Sequence, residues 1–240
     1  SKLHTKEVGW ILENAGCAYV LCEESSISEI NFPGVTVFNP KWQQFDSNIH
    51  IPPVKRSSTD LAWLFYTSGT TGRPKGVMIT HGMIKTMALS YFADVDQVHP
   101  SDTTLYAAPM SHGAGLYSIM HVLAGARHAI PVSGGFDEEE IFGLAETLQN
   151  VHMFAAPTMV KRLTTFSRKN GYDGNGIRTI VYAGGPMYLS DIIEAVEQFG
   201  SLFIQVYGQG ECPMGITVLP RFEVSDRDLS LIHISEPTRP

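Results

Sequence analysis

The chain has 240 residues, 43% hydrophobic and 17% charged, a globular composition that excludes a disordered or fibrous protein. Its 17 basic and 24 acidic side chains give a formal net charge of −7, which argues against general binding to nucleic acid or anionic membranes. No apolar run approaches the roughly 20 residues of a membrane helix, and the polar residues 1–9 do not resemble a secretory signal.

In chain order, the hydrophobic pattern of the first half of the chain alternates between helix and strand. It predicts, in turn, a helix over residues 8–14, strands over 18–21, 34–38 and 61–66, a helix with Ile84, Met87, Ala88 and Tyr91 on its apolar face, a strand over 104–108 and a helix over 116–123. Residues 39–59 are rich in Pro, Ser and Asn, and they are the best candidate for a linker or subdomain boundary.

The second half repeats the alternation of strand, loop and helix. It predicts strands over 128–132, 179–182 and 202–207, a helix with Ile141, Leu144, Ala145 and Leu148 on one face behind an Asp137–Glu140 capping box, and a helix N-capped by Ser190 with Ile192, Val196 and Phe199 on one face. Such repeats predict an α/β fold with largely parallel sheets flanked by helices. Ligands bind beyond the carboxyl ends of such strands, which directs attention to loops 67–76, 109–115, 183–187 and 208–211.

The three cysteines, Cys17, Cys22 and Cys212, are odd in number and form no CxxC pair. This pattern argues against a disulfide scaffold and against a structural zinc site. It favours a reducing compartment, the cytoplasm, with each of the three thiols buried and free.

A loop rich in glycine and hydroxyl side chains follows the strand predicted over 61–66. Residues 66–81 read YTSGTTGRPKGVMITH. Glycines let the backbone approach an anion, successive N–H groups form a nest for phosphate oxygens, and Lys75 adds a positive charge. A P-loop is excluded by spacing, because Lys75 stands between Pro74 and Gly76 instead of preceding Ser or Thr. A flexible surface turn would not concentrate these residues at one strand exit, so the pattern predicts a phosphate-binding loop of another kind.

The segment YTSGTTGRPKG closely resembles the signature of adenylate-forming enzymes, which include acyl-CoA synthetases, luciferases and the adenylation domains of peptide synthetases. Three further loops match that family in the same order. APMSHG, which contains His112, resembles its second motif, AGGP resembles its adenine-binding loop, and YGQGE resembles its YGxTE motif. The resemblance covers the chain from its first residues to about Asp228, and it implies the large N-terminal domain of this family.

The resemblance implies that a carboxylic acid reacts with ATP, in the presence of Mg²⁺, to give acyl-AMP and pyrophosphate before transfer to coenzyme A. The β- and γ-phosphates would be held by Thr67, Ser68, Gly69, Thr70, Thr71, Gly72 and Lys75. The adenine and the rest of the nucleotide would be bound by Gly184, Gly185, Pro186, Tyr207, Gly208, Gln209 and Gly210. Lys75, His112 and Glu211 would be catalytic, with Glu211 binding Mg²⁺ and His112 orienting the substrate carboxylate or walling off its pocket.

Amino-acid-activating members of the family normally carry an Asp near the His motif, whereas residues 110–120 contain no Asp or Glu. A buried ammonium without a partner is costly, so amino-acid activation is not expected. The predicted substrate pocket is formed by His112 and by small or apolar residues: Gly113, Ala114, Gly115, Met187, Cys212, Pro213 and Met214. They suit an apolar tail, a fatty acid in preference to an aromatic acid.

One residue departs from the family pattern. The family usually has Thr before the glutamate of YGxTE, where its hydroxyl meets the α-phosphate, and this chain has Gly210. Either a backbone N–H substitutes for that hydroxyl, or the nucleotide site is weaker.

Both ends of the chain are expected to be incomplete. The chain does not begin with Met, and residues 229–239, LSLIHISEPTR, resemble the translation of a sequencing-library adaptor. The expected domains are 1–58, the end of a first subdomain and its linker, 59–228, the AMP-binding core, and 229–240, non-native read-through. The family's ribose-binding Asp, hinge and small C-terminal domain would then be missing, and the 240-residue chain would not complete adenylation efficiently.

The leading interpretation is an AMP-forming acyl-CoA synthetase. The alternatives are an acyl-AMP ligase that feeds a carrier protein, an aryl-acid CoA ligase, and a non-catalytic nucleotide-binding relic, which Gly210 favours. The expected partners are the acid, ATP, coenzyme A and the missing C-terminal domain of the same enzyme, with no nucleic acid and no membrane span.

Overall fold

The structure is a computed structural model that describes residues 5–22, 26, 33–38, 51–67, 74–213 and 215–226. The chain divides into two compact units, Ser1–Ile84 and Lys85–Pro240. The domain limits expected at residues 58 and 228 stay predictions, and the adaptor-like residues 229–240 lie outside the described residues. No described helix is both long and apolar enough to cross a membrane.

The first unit contains a helix, two short parallel strands and an antiparallel hairpin. The first three elements follow the predicted order and are α1 (Thr5–Asn14), β1 (Tyr19–Leu21) and β2 (Thr36–Phe38). β3 (Leu61–Thr67) pairs with β4 (Lys75–Thr80), a strand that the sequence analysis did not predict. Trp10 meets the Tyr66 ring edge-on at 6.1 Å, and the Tyr66 hydroxyl donates to Asn14 Oδ1 at 2.7 Å, so α1 is fixed to the hairpin.

The remaining elements build a mostly parallel sheet flanked by helices. They are, in chain order, α2 (His81–Ser90), a π-helical turn (Tyr91–Val95), β5 (Thr103–Leu105), α3 (Gly113–Leu116), α4 (Ser118–Ala124), β6 (Arg127–Ala129), α5 (Glu138–Leu148), β7 (Val151–Ala155), α6 (Pro157–Asn170), β8 (Ile177–Tyr182), α7 (Leu189–Phe199), β9 (Phe203–Tyr207), β10 (Thr217–Leu219) and α8 (Arg221–Ser225). Six strands form one sheet in the order β10-β9-β8-β7-β5-β6, and every neighbouring pair is parallel except β9 and β10. The predicted α/β fold class is confirmed.

The core of the second unit lies between its central strands and the helices α5, α6 and α7. Nearly every position of β7 and β8 is buried, as expected for strands of a parallel sheet. Ile141 and Ala145 of α5 and Ile192 of α7, which were predicted on apolar faces, are buried in this cluster. Phe142 stacks on Tyr172 with ring centroids 4.8 Å apart. Burial of each large apolar side chain contributes about 1.5–3 kcal/mol, so these contacts hold the helices to the sheet.

Two helix starts differ in detail from the predictions. Asp137 caps α5 as predicted, since its carboxylate accepts from the Glu140 N–H at 2.8 Å. The Glu140 carboxylate does not complete the capping box, because it instead accepts from the Val132 N–H at 2.5 Å. The prediction of Ser190 as N-cap of α7 is wrong: Tyr188 has an extended backbone and its carbonyl accepts the first helical hydrogen bonds.

Charged side chains meet at the amino ends of the parallel strands, at the edge opposite to the loops with the family motifs. Asp102 immediately precedes β5, His152 is the second residue of β7, and Arg178 is the second residue of β8. The Asp102 carboxylate accepts from His152 Nε2 at 3.1 Å and from Arg178 Nη1. Asp102 and His152 are each 2% exposed, so their charges and dipoles are withdrawn from water.

A second carboxylate, Asp96, lies beside this cluster and binds the last helix. Asp96 Oδ2 accepts from Thr179 Oγ1 at 2.5 Å and from Arg221 Nη2 at 3.0 Å. Arg221 Nη2 also donates to Thr179 Oγ1 at 2.9 Å. These bonds tie α8 to β8 and to the segment that follows the π-helical turn.

The burial of two histidines makes stability depend on pH below neutrality. Burial, together with the nearby His121, lowers the pKa of His152 from 6.5 to about 4, and burial also lowers the pKa of His121. Between pH 6.5 and about pH 4, His152 is largely protonated in the unfolded chain but neutral in the folded chain. The unfolded chain therefore binds more protons, and the free energy of unfolding falls as the pH is lowered through this range. We expect His152 to account for roughly 2–3 kcal/mol of this loss, measured by urea unfolding across the window.

A His152→Gln variant separates this effect from the titration of surface carboxylates. The glutamine amide can still donate to Asp102, but it does not titrate. Its free energy of unfolding is expected to change less between pH 6.5 and pH 4 than that of the unmodified protein. Identical pH dependence in the two proteins would show that His152 is not buried in its neutral form.

Candidate active site

The predicted phosphate loop connects the two strands of the hairpin in the first unit. Thr67 is the last residue of β3, Lys75 is the first residue of β4, and the two pair directly across the hairpin. The other predicted phosphate-binding residues, Ser68, Gly69, Thr70, Thr71 and Gly72, lie outside the described residues. Lys75 is exposed. The hairpin thus holds a hydroxyl and an ammonium at the two ends of one glycine-rich loop, and phosphate binding by this loop stays a prediction.

His112 begins a short helix beyond the carboxyl end of β5. It is the N-cap of α3 with an extended backbone, and its N–H donates to the carbonyl of Pro109 at 3.1 Å. Its side chain is exposed, and its Nδ1 lies 3.3 Å from Ser111 Oγ. His121 and His152 are buried in the core, whereas the His112 ring is exposed and accessible to a ligand.

Two glycines of the predicted pocket allow close packing beside His112. A Cβ on Gly115 would fall well inside contact distance of the Met110 carbonyl oxygen, and the Gly115 carbonyl accepts from Ser118 Oγ at 2.7 Å. A Cβ on Gly113 would lie 3.1 Å from Phe154 Cζ. The close backbone approach therefore requires glycine at position 115 and leaves little space at position 113.

Phe154 is a pocket candidate that the sequence analysis missed. It is the fourth residue of β7, it lies beside Gly113, and its ring centroid is 5.3 Å from that of Tyr117. The available signal was a short apolar run immediately before Pro157, which is consistent with a buried strand followed by a helix.

The predicted adenine loop continues from β8. The Ala183 N–H still donates to the Ala155 carbonyl of β7 at 3.2 Å, so the loop begins at a fixed point. Gly184 has φ of +85°, a left-handed conformation that favours glycine, and residues 184–186 are exposed. A Cβ on Gly184 would have no described atom within 4 Å, which leaves this backbone open to a flat ligand. Met187, predicted in the substrate pocket, is half-buried at the end of the loop.

The YGQGE segment follows β9 and forms a tight turn. Gln209 and Cys212 exchange backbone hydrogen bonds of 3.1 and 3.2 Å, and Gln209 Nε2 donates to the Tyr207 hydroxyl at 2.7 Å. Tyr207 is 50% exposed, Glu211 is exposed, and Gly208 and Gly210 are half-buried. The turn presents the Glu211 carboxylate to solvent just beyond a strand end, where a cation bound to a nucleotide could reach it.

The cysteines are free thiols, as predicted. The prediction that all three are buried is wrong, since Cys212 is exposed in the turn after Glu211 and Cys17 and Cys22 are only half-buried. Met214, also predicted in the substrate pocket, lies outside the described residues.

Three of the predicted loops leave the sheet at one edge. β5, β7, β8 and β9 are successive parallel neighbours, so their carboxyl ends lie side by side. His112, the glycines of AGGP and Glu211 all follow these ends. Within the described parts of the chain, no group of three or more His, Cys, Asp or Glu could hold a metal. A Mg²⁺ held by one carboxylate and by substrate phosphates requires no such group.

The profile of the AMP-binding enzyme family matches residues 1–235. The chain belongs to this family. Its curated relatives in the AMP-binding family include a feruloyl-CoA synthase of Amycolatopsis sp, 30% identical over 170 residues, which cover 70% of this chain and 34% of that protein. A 2-succinylbenzoate–CoA ligase of Listeria innocua serovar 6a is 28% identical over 92% of this chain and 45% of that protein.

Solved structures agree with the family. O-succinylbenzoate coenzyme A synthetase from Bacillus subtilis, in complex with AMP, has a TM-score of 0.73 and 26% identity over 91% of this chain and 55% of that chain. The N-terminal domain of FACL13 from Mycobacterium tuberculosis has a TM-score of 0.79 at 22% identity, over 93% of this chain and 58% of that chain, and shows the shared fold. The chain spans less than half of the curated relatives it matches.

Proposed function

We propose that this chain carries the nucleotide- and acid-binding part of an acid–thiol ligase that forms acyl-AMP from a carboxylic acid and ATP and then acyl-CoA. The observation that carries the proposal is the row of three family loops, with His112, the AGGP glycines and Glu211, at one edge of a parallel sheet. Ligand sites of open α/β sheets lie at this edge. Family membership and the names of the relatives support the reaction class.

In the proposed reaction, a carboxylate oxygen attacks the α-phosphorus of ATP and pyrophosphate leaves; a thiol sulfur then attacks the acyl carbon and AMP leaves. Both reactants of the first step are anions, so positioning and positive charge are the main requirements. We assign charge neutralisation to Lys75 and to a Mg²⁺ on Glu211, and orientation of the substrate carboxylate to His112. The exposure of all three side chains supports these roles.

The open backbone of the AGGP loop supports the proposal that adenine binds there. Gly184 adopts a backbone conformation suited to glycine, and a Cβ built on it would have no described atom within 4 Å. Tyr207 is half-exposed at the neighbouring strand end, where its ring can stack on a base. Hydroxyls and N–H groups of the loop between Thr67 and Lys75 are proposed to bind the β- and γ-phosphates.

The substrate is proposed to be an acid with an apolar tail, a fatty acid in preference to an aryl acid. The aromatic rings of Phe154 and Tyr117 lie next to Gly113, and no carboxylate occurs in residues 110–120. An ammonium substrate would find no partner there. Relatives of the chain include a medium/long-chain fatty-acid–CoA ligase of Mycobacterium tuberculosis as well as a feruloyl-CoA synthase, an aryl-acid ligase.

Gly210 favours a second candidate, a nucleotide-binding protein without catalytic activity. It stands where the family usually has the threonine of YGxTE, and it lies half-buried in the turn between Gln209 and Cys212. Failure of the full-length protein to form acyl-AMP with any acid, despite binding ATP, would establish this candidate. A carrier-protein thiol in place of coenzyme A, and a cytoplasmic location, stay open predictions.

Glu211→Gln tests the proposed magnesium site in the full-length enzyme. Acid-dependent release of pyrophosphate is expected to fall about 100-fold or more, because a catalytic metal ion contributes several kcal/mol to the transition state. The Mg²⁺ concentration for half-maximal rate is expected to rise as well. The full-length enzyme is used because the 240-residue chain itself is proposed to release pyrophosphate slowly.

Glu139→Gln is the matched control, since Glu139 is another exposed glutamate, in the first turn of α5 and away from the loop edge. It should leave the rate and the Mg²⁺ dependence unchanged. If Glu211→Gln behaves like this control, Glu211 does not bind the metal and its assignment is wrong.

A further inference from the structure

Five buried polar side-chain atoms in the second unit have no hydrogen-bond partner among the described residues. One is Thr103 Oγ1, and the other four belong to aromatic side chains. These four are the hydroxyls of Tyr91 and Tyr117, His121 Nε2 and His152 Nδ1. The four side chains are between 0% and 3% exposed. Buried polar groups in folded proteins are almost always hydrogen-bonded, so a group of four without partners indicates that something else binds them.

The four side chains that carry these groups are neighbours in space. The rings of Tyr91 and Tyr117 lie 5.7 Å apart, and those of His121 and His152 lie 5.2 Å apart. His121 Nδ1 lies 2.8 Å from the Tyr117 carbonyl oxygen, one turn earlier, so the two pairs are linked through α4. The cluster lies between the π-helical turn, α4 and β7.

The hydrogen-bonding character of the two rings can be assigned. His121 Nδ1 faces a carbonyl, which only accepts, so Nδ1 carries the proton and Nε2 of the neutral ring is an acceptor. His152 Nε2 lies 3.1 Å from Asp102 Oδ2, an acceptor, and 3.4 Å from Arg178 Nη1, a donor. The shorter contact assigns the proton to Nε2, which makes His152 Nδ1 an acceptor. Asp96 Oδ2, also an acceptor, lies only 3.8 Å from His152 Nδ1. The two ring nitrogens and the Asp96 oxygen are all acceptors, so a bound group that donates hydrogen bonds would satisfy them.

We propose that ordered internal water binds between Tyr91, Tyr117, His121 and His152. Water can donate to His121 Nε2 and His152 Nδ1 and can accept from the phenol hydroxyls. This matches the two to four hydrogen bonds that buried waters make in proteins. A hydrocarbon ligand would leave all four groups unsatisfied, and a cation would be repelled by Arg178 and Arg221, which bind the adjacent carboxylates.

A crystal structure of the unmodified protein at a resolution that shows ordered water is the direct test. The expected result is a density peak about 2.7–3.2 Å from both His121 Nε2 and His152 Nδ1. Direct hydrogen bonds from the Tyr91 or Tyr117 hydroxyls to these nitrogens, with no peak between them, would overturn the proposal.

Tyr91→Phe and Tyr117→Phe provide a second test through the sign of their effect. Loss of a water-bound hydroxyl lowers the midpoint of urea unfolding, whereas removal of an unsatisfied buried hydroxyl raises it. Tyr182→Phe is the control, because its equally buried hydroxyl donates to Gln205 Oε1 at 3.2 Å and its loss lowers the midpoint. A raised midpoint in both of the other variants would contradict the hydration site.

Discussion

Gly176→Ala is expected to lower the free energy of unfolding by about 3–5 kcal/mol, since it combines backbone strain with overpacking. Gly176 has φ of +83°, which favours glycine. An added Cβ would fall well inside contact distance of the Ala145 carbonyl in the last turn of α5, and that carbonyl accepts from the Gln149 N–H at 2.9 Å. The Gly176 carbonyl accepts from Val151 at the start of β7, so neither backbone segment can move away freely. Urea unfolding at neutral pH measures the loss.

Gly143→Ala is the matched control, and it lies in α5, the helix that Gly176 contacts. Gly143 is exposed within α5, and a Cβ built there would have no described atom within 4 Å outside its chain neighbours and the nearby backbone of its own helix. Because alanine is the better helix former, this variant should be more stable by about 0.5–1 kcal/mol. If the two alanine variants had the same stability, the contact between Gly176 and α5 would be absent from the folded protein.

Asp102→Ala is expected to lower the free energy of unfolding by about 3–5 kcal/mol, the usual effect of breaking a buried ion pair by removing one partner. The Asp102 carboxylate accepts from His152 Nε2, from Arg178 Nη1 and from the His99 N–H at 2.7 Å. His152 is 2% exposed, so water has little access to its ring once the carboxylate is removed, whereas the Arg178 side chain is 26% exposed and keeps part of its hydration. The loss should be measured at pH 7, where His152 is neutral in both proteins.

Glu194→Ala removes an ion pair of similar length from the surface. The Glu194 carboxylate lies 3.1 Å from Arg168 Nη1, and the two side chains are 52% and 40% exposed. Exposed pairs contribute up to about 1 kcal/mol, so this variant should stay close to the unmodified protein. An Asp102→Ala variant that unfolds no more easily than Glu194→Ala would show that desolvation already cancels the attraction in the buried cluster.

Helices and strands with a clear hydrophobic period were predictable from the sequence. α5 and α7 place Ile141 and Ile192 in the core as expected, and β8 has the predicted apolar run. β7 was missed because His152 interrupts its apolar run, and the burial of this polar residue depends on Asp102. α6 was also missed: Met159, Leu163 and Phe166 fall on one helical face and pack on the core, but the many polar residues between them obscure this period.

The candidate site was predictable only where contiguous motifs identify it. His112 and Glu211 lie in short motifs, and the structure places both beyond carboxyl ends of strands of one parallel sheet. The buried cluster has no such motif, because Asp102 is 50 residues from His152 and 76 from Arg178. Partners separated in this way are brought together by strand order, which a single sequence does not reveal.

The reversal of direction between β9 and β10 bears on how readily Glu211 can be ordered. The segment that carries Glu211 leaves the sheet at Tyr207 and re-enters it at Thr217, which is paired with Tyr207 itself. Beyond β10, Arg221 is fixed to Asp96. The excursion is thus a short closed loop and not a free arm. Its conformational entropy is already reduced before any ligand arrives, so immobilising the carboxylate on a ligand costs less than it would in an unanchored segment.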